Sequence, residues 1–141
     1  MIDIHCHILP NFDDGSSCIR ESVGMAAIAC DSGVTDIVCT PHVRCGDDNP
    51  ATVMSEIKSL YDSLVSEVKE AEIPVRLHMG AEILLLPGTT TYIERKLLPT
   101  IAGGDYILVE FPFDAPSEYI LSMLKKVKST GFRPVIAHPE R

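Results

Sequence analysis

Five short apolar segments alternate along this chain with helical ones, and a residue able to ligate a divalent metal stands at the end of each. Met1 to Cys6, Val34 to Thr40, Val75 to Met79, Asp105 to Glu110 and Arg133 to Ala137 read as strands, from their β-branched content and their flanking turn residues. Ser17 to Ser32 reads as a helix with Val23, Ala26, Ala27 and Cys30 on one face and Gly33 as its stop. Asn49-Pro50 is a strong helix start, since Asn caps free amides and Pro suits the first helical position. From there Val53, Ile57, Leu60, Leu64 and Val68 recur at helical spacing until Pro74. Tyr92 to Leu97 is predicted as a short helix in a stretch that Pro87-Gly88 and Gly103-Gly104 otherwise make loop. Ser117 to Ser129 is helical, with Ile120, Leu121, Leu124 and Val127 inward and Gly131 as its stop. Repeated βα units of this kind predict an α/β fold with a parallel sheet or a (β/α) barrel. Four residues follow the fifth strand, so a barrel would be incomplete here. The expectation is one domain over residues 1–141, truncated at its C-terminus.

The ligand-type residues carry the chemical message. His5 and His7 end the first strand, His42 follows the second, Glu82 the third, Glu110 closes the fourth and His138 follows the fifth. Active sites of (β/α) barrels are built at that rim, where strand ends and following loops converge. Neutral imidazole and ionised carboxylate together suit zinc, manganese or iron. In His5-Cys6-His7 alternate residues share a strand face, so both imidazoles reach one metal while Cys6 points into the opposite layer. Glu82 and Glu110 each sit in apolar surroundings where a lone carboxylate is costly, and a cation partner answers that cost. Asp13-Asp14-Gly15 can be no more than a turn, and of the two carboxylates Asp14 is the ligand candidate.

Composition excludes several classes. The formal charge is −8, without the basic face that a nucleic acid needs. Lys125, Lys126 and Lys128 are a solvated helix face. No apolar run approaches the roughly 20 residues that span a bilayer, and the N-terminus lacks the pattern of a secretory signal. Five irregularly spaced cysteines suggest reduced thiols in a cytoplasm rather than a disulfide framework. None begins a Cys-x5-Arg arrangement: Cys45 stands six residues after Cys39 and Gly24 six after Cys18. His78 matches no ligand motif and reads as structural or partly exposed, and Arg44 as a loop charge beside the site.

The stretches DIHCHILPNFDDG (Asp3 to Gly15), CTPHV (Cys39 to Val43), GAEI (Gly80 to Ile83), ILVEFP (Ile107 to Pro112) and AHPER (Ala137 to Arg141) together resemble a known family. It is the PHP-type metal-dependent protein tyrosine phosphatases of bacterial capsule and exopolysaccharide operons. The resemblance runs from the first residue to the last. It implies a distorted (β/α) barrel of which about the first five βα units are present. It implies a cluster of up to three divalent ions, manganese with iron or zinc as alternatives. His5, His7, Asp14, His42, Glu82, Glu110 and His138 match the family's ligands. Arg141, with His42, matches its catalytic positions, Arg141 holding phosphate. Many members carry a second His where this chain has Val43, and an Asp-x-His pair and a further Arg from later strands are absent. The implied function is hydrolysis of protein phosphotyrosine by metal-activated water, on a substrate such as a bacterial tyrosine kinase of polysaccharide export. Histidinol phosphatase, PHP nuclease and a non-catalytic metal-binding fragment are the competing readings. The uncovered sheet edges of an incomplete barrel predict a homo-oligomer.

Overall fold

The computed structural model describes residues 1–45 and 50–140. In chain order the elements are β1 (Ile2–Cys6), α1 (Ile19–Asp31), β2 (Asp36–Cys39), β3 (His42–Arg44), α2 (Pro50–Glu70), β4 (Arg76–Met79), β5 (Glu82–Leu84), α3 (Thr89–Glu94), a 3-10 turn at Ile101–Gly103, β6 (Tyr106–Glu110), α4 (Ser117–Ser129) and β7 (Arg133–Ile136). The architecture is mixed α/β, and every strand pairing is parallel. One sheet runs β1-β2-β4 and the other β3-β5-β6-β7.

Two of the five expected strands, Val34 to Thr40 and Val75 to Met79, are each followed by a further short strand that was not expected, β3 and β5. The second continues from β2 into β3 across Thr40-Pro41, and the third from β4 into β5 across Gly80-Ala81. Pro41 has no N–H to donate, which interrupts the ladder at that step. Gly80 lies so close to the neighbouring strand that a Cβ would meet Val38 Cγ1 at 2.6 Å. The pairing nonetheless carries on through the break. The Gly80 N–H donates to the Cys39 carbonyl at 2.9 Å and the Glu82 N–H to that of Pro41 at 3.0 Å. Counted this way, each of the five segments lies beside the next one in the chain.

The strands are apolar on both faces, as parallel strands covered by helices must be. Ile37, Val38 and Cys39 of β2, Ile83 of β5 and Ile107, Leu108 and Val109 of β6 are all buried. The long helix α2 buries Ile57, Leu64 and Val68 at helical spacing and turns its charged residues outward. A buried aliphatic side chain of this kind contributes about 1.5–3 kcal/mol, and Leu64→Ala would cost about 2–5 kcal/mol. Helix α1 packs on α2, and α4 on β7. In α4, Met123 and Val127 form the buried face with Leu124 half-covered, whereas Leu121, expected inward, is 58 % exposed. The first short helix after β5 spans Thr89–Glu94, earlier than the expected Tyr92 to Leu97. Asn49, the expected cap of α2, lies outside the described residues. Among the described residues, no helix is long and apolar enough to cross a membrane.

Candidate metal centre

The breaks in the strands matter because they aim side chains. In register, His42 at the start of β3 stands beside Glu82 at the start of β5, while His5 and His7 come from the end of β1. Their polar atoms converge. His5 Nε2 lies 2.8 Å from Glu82 Oε2 and His7 Nε2 2.9 Å from the same oxygen, with 3.2 Å between the two nitrogens. His42 Nδ1 stands 3.0 Å from Glu110 Oε1 and 3.5 Å from Glu82 Oε2. His138 Nε2 reaches within 3.2 Å of Glu82 Oε1. The four rings also touch: centroids are 4.6 Å apart for His7 and His42, 5.1 Å for His5 and His138 and 5.2 Å for His5 and His7.

His138 takes up its place with φ +50°, in the left-handed region that non-glycine residues seldom occupy. Holding it there costs on the order of 1 kcal/mol, the kind of local strain that clusters at working sites. Six of the residues singled out from sequence (His5, His7, His42, Glu82, Glu110 and His138) thus meet in one place. Asp14 stands at the rim, 79 % exposed, with Oδ1 3.5 Å from His42 Nε2 and 3.8 Å from His7 Nδ1. Arg141, expected to hold phosphate, lies outside the described residues.

Glu82 is the centre of the arrangement and is fully buried. Burial pushes its carboxyl upward, but the bonds from His5 and His7 and the charges of His5 and His42 more than reverse this. The group is held below the usual carboxylate range. Its Oε1 has no hydrogen-bond partner: His138 is near enough but not aligned to donate. An unsatisfied buried acceptor costs about 1–3 kcal/mol, and more when charged. Among the described residues, no lysine or arginine answers it. His7 is pushed up to about 10 by its bonds to Asp13 and then Glu82, against the opposing effect of burial.

The donor set fits a divalent cation. Ligand atoms about 2.1 Å from a metal stand roughly 3 Å from one another, the spacing seen between His5 Nε2, His7 Nε2 and Glu82 Oε2. Three groups have ligand atoms close enough to share an ion: His5, Glu82 and His138; His7, His42 and Glu82; and His7, Asp13 and Asp14. Thiols take no part in these groups. Cys6 is pushed up to about 11 and Cys39 to about 12, chiefly by burial, so both stay protonated. His78 is a third exposed and bonds Asp36 Oδ1 at 2.8 Å, away from the cluster.

One residue stands nearer the cluster than sequence suggested. Asp13, whose side chain is only 7 % exposed, bonds His7 Nδ1 at 2.7 Å. Spacing cannot tell which of two adjacent aspartates turns inward; Gly15 marks only the tight turn after them, where a Cβ would meet the His7 carbonyl oxygen at 2.0 Å. Burial works to raise the Asp13 carboxyl, and bonds from His7, His42 and Gly15 bring it below its ordinary value. Two clefts open on the site. One of about 230 Å³, with Phe111, Phe113 and Ile136 in its wall, adjoins Glu110 and His138. The other holds Arg44 beside Asp14 and His42.

Comparison with known proteins agrees with this geometry. The model of the family described as "Capsular polysaccharide synthesis, CpsB/CapC" matches residues 1–141. The tyrosine-protein phosphatase YwqE of Bacillus subtilis is 37 % identical over 143 residues, covering 100 % of this chain and 55 % of YwqE. The tyrosine-protein phosphatase CpsB of Streptococcus pneumoniae is 33 % identical, covering 100 % of this chain and 57 % of CpsB. A solved structure from work on these two proteins, described there as unique metal-dependent tyrosine phosphatases, superposes with a TM-score of 0.87 at 34 % identity. That superposition covers 99 % of this chain and 56 % of the solved one. The chain therefore spans about half the length of the curated relatives it matches. On the family match over its whole length, and on the likeness of sequence and fold, the chain belongs to the CpsB/CapC family of capsular polysaccharide synthesis.

Proposed function

We propose that this chain carries the metal centre of a phosphomonoesterase that hydrolyses protein phosphotyrosine in the control of polysaccharide synthesis or export. The observation that carries the reading is Glu82: a buried, ionised carboxylate among four histidines, with one oxygen unsatisfied and, among the described residues, no lysine or arginine bonded to it. His5, His7, Asp14, His42, Glu82, Glu110 and His138 would hold up to three ions, manganese ahead of iron or zinc. Bound divalent cations supply a lowered pKa for water and charge neutralisation for the oxygens of a phosphoryl group.

The chain's own residues do the rest. Glu82 and Glu110 stay as acceptors facing the imidazoles, so the histidines present their nitrogens inward. His42, between Glu110 and Asp14, is placed to hold a proton at the mouth of the site. The apolar cleft beside Glu110 and His138 suits the ring of an aryl phosphate. Arg141, two residues after Pro139, is the guanidinium for the phosphate oxygens. No covalent nucleophile is needed, in keeping with the high pKa of Cys6 and Cys39.

The finer architecture we propose is a single PHP-type distorted barrel of which these are the first five βα units. The cellular setting is cytoplasmic and the substrate a bacterial tyrosine kinase. Self-association is expected through the exposed apolar residues of the outer strands, Ile2 and Ile4 on β1 and Ile136 on β7. Light scattering on the eluted protein would read a dimer or larger species, and a monodisperse monomer would refute it. The activity is tested by phosphate release from a phosphotyrosine peptide with and without Mn²⁺. The expected result is metal-dependent release, lost in His5→Ala. No release from a chain that binds metal would overturn the catalytic part of the reading for this chain.

A further inference from the structure

The two adjacent aspartates after β1 stand differently. Asp14 is exposed, whereas the Asp13 side chain is almost covered. Asp13 accepts from three N–H groups: His7 Nδ1 at 2.7 Å and the His42 amide at 2.9 Å, both on Oδ2, and the Gly15 amide at 3.1 Å on Oδ1. Three donors occupy most of the acceptor capacity of a carboxylate and leave little to offer a cation. Its bond to His7 is also informative about that ring. Ionised carboxylates only accept, and Asp13 faces Nδ1 while Glu82 faces Nε2, so the metal-free ring carries a proton on each nitrogen. A cation that displaced the Nε2 proton would leave the neutral ring with its proton on Nδ1, held by Asp13. Nε2 is the nitrogen that faces Glu82, 2.9 Å away. The same carboxylate ties the loop that carries Asp14 to the first residue of β3, and so fixes His42 next to His7.

We infer that Asp13 is a positioning residue of this centre, the outer carboxylate that sets the tautomer of His7 and the approach of His42, and not itself a metal ligand. The inference rests on the metal-centre reading above. Outer carboxylates of this kind orient the ligating imidazole and raise its basicity, and losing one typically weakens metal binding about 10–100-fold. The competing arrangement is an ion held by His7 Nδ1, Asp13 and Asp14, whose ligand atoms also lie close together. That would need the opposite tautomer of His7.

Titration of Mn²⁺ into the metal-free chain, as wild type, Asp13→Asn and Asp14→Asn, separates these. Asp13→Asn is expected to keep the wild-type number of bound ions with affinity lowered about 10–100-fold, while Asp14→Asn loses an ion. Loss of a whole ion in Asp13→Asn would make Asp13 a ligand, and unchanged affinity would make it a turn residue only; either overturns the inference. A second readout needs no variant. In the zinc-loaded wild type with ¹⁵N-labelled histidine, nuclear magnetic resonance should show His7 protonated at Nδ1. Protonation at Nε2 would overturn the inference even if Asp13→Asn failed to fold. A wild-type chain that binds no metal would instead bring down the metal-centre reading itself.

Discussion

Two buried carboxylates, one at each end of the strands, are both bonded by histidine, and their surroundings make them opposites. Asp36 opens β2 at the N-terminal end. Arg76 bonds both its oxygens, at 2.7 and 2.6 Å, and His78 and the Thr35 hydroxyl add further bonds of 2.8 Å each. Arg76 first, then His78 and Thr35, hold its carboxyl well below the ordinary range. Glu82, towards the C-terminal end, has four imidazoles around it and, among the described residues, no cationic fork and an orphan oxygen. Asp36 is a closed knot that pins β2 to β4, complete without any ligand. Glu82 is an open one, with an acceptor left over that a cation would satisfy. On the proposed reading the same residue types serve structure at one end and binding at the other, and among the described residues the difference is the guanidinium.

The largest way to break this contrast is Glu82→Gln. Manganese affinity should fall by more than roughly 100-fold, and the rise in melting temperature that Mn²⁺ gives the wild type should vanish, as scanning calorimetry would show. Gly15→Ala attacks the same end through the backbone, because its Cβ would meet the His7 carbonyl oxygen at 2.0 Å. A stability loss of about 1–3 kcal/mol in urea titration is expected, with weakened metal binding. Asp36→Asn should do the reverse of Glu82→Gln. It lowers the melting temperature of the metal-free chain and leaves the Mn²⁺-induced rise intact.

The smallest effect is the pH profile. Asp36 and Glu82 have depressed carboxyls, so their contributions are present above the ordinary values of 3.8 and 4.5 and are lost as pH falls. His7, raised to about 10, contributes fully below its ordinary 6.5 and loses that contribution as pH rises towards 10. The metal-free chain should therefore melt highest between pH 4.5 and 6.5. Saturating Mn²⁺ should remove the alkaline decline, because the cation takes the place of the proton on His7. A calorimetric pH series with and without metal checks both.

Most of the framework was legible. Helix α4 has the predicted bounds, and Leu64 and Val68 of α2 face inward as their spacing requires. These depend on local periodicity, which a single sequence carries. The short strands β3 and β5, beyond Pro41 and Gly80-Ala81, were not legible, because each is three residues long and forms through its pairing with other strands. Leu121 satisfies a helical pattern but falls on the edge of the buried face, where only packing decides. At the site, the ligand-type residues stood out because the strand ends gather them. Asp13 did not, since the choice between two adjacent aspartates rests on where His7 and the His42 amide lie in space. The Asp36–Arg76 pair escaped for a similar reason: they are 40 residues apart and meet only when β2 and β4 pair in register.

The most direct test is calorimetric titration of Mn²⁺ into the metal-free chain, comparing wild type with Glu82→Gln and Asp36→Asn. Wild type and Asp36→Asn should bind tightly and alike, and Glu82→Gln with no comparable affinity. Equal binding by all three, or no binding by the wild type, would contradict this expectation.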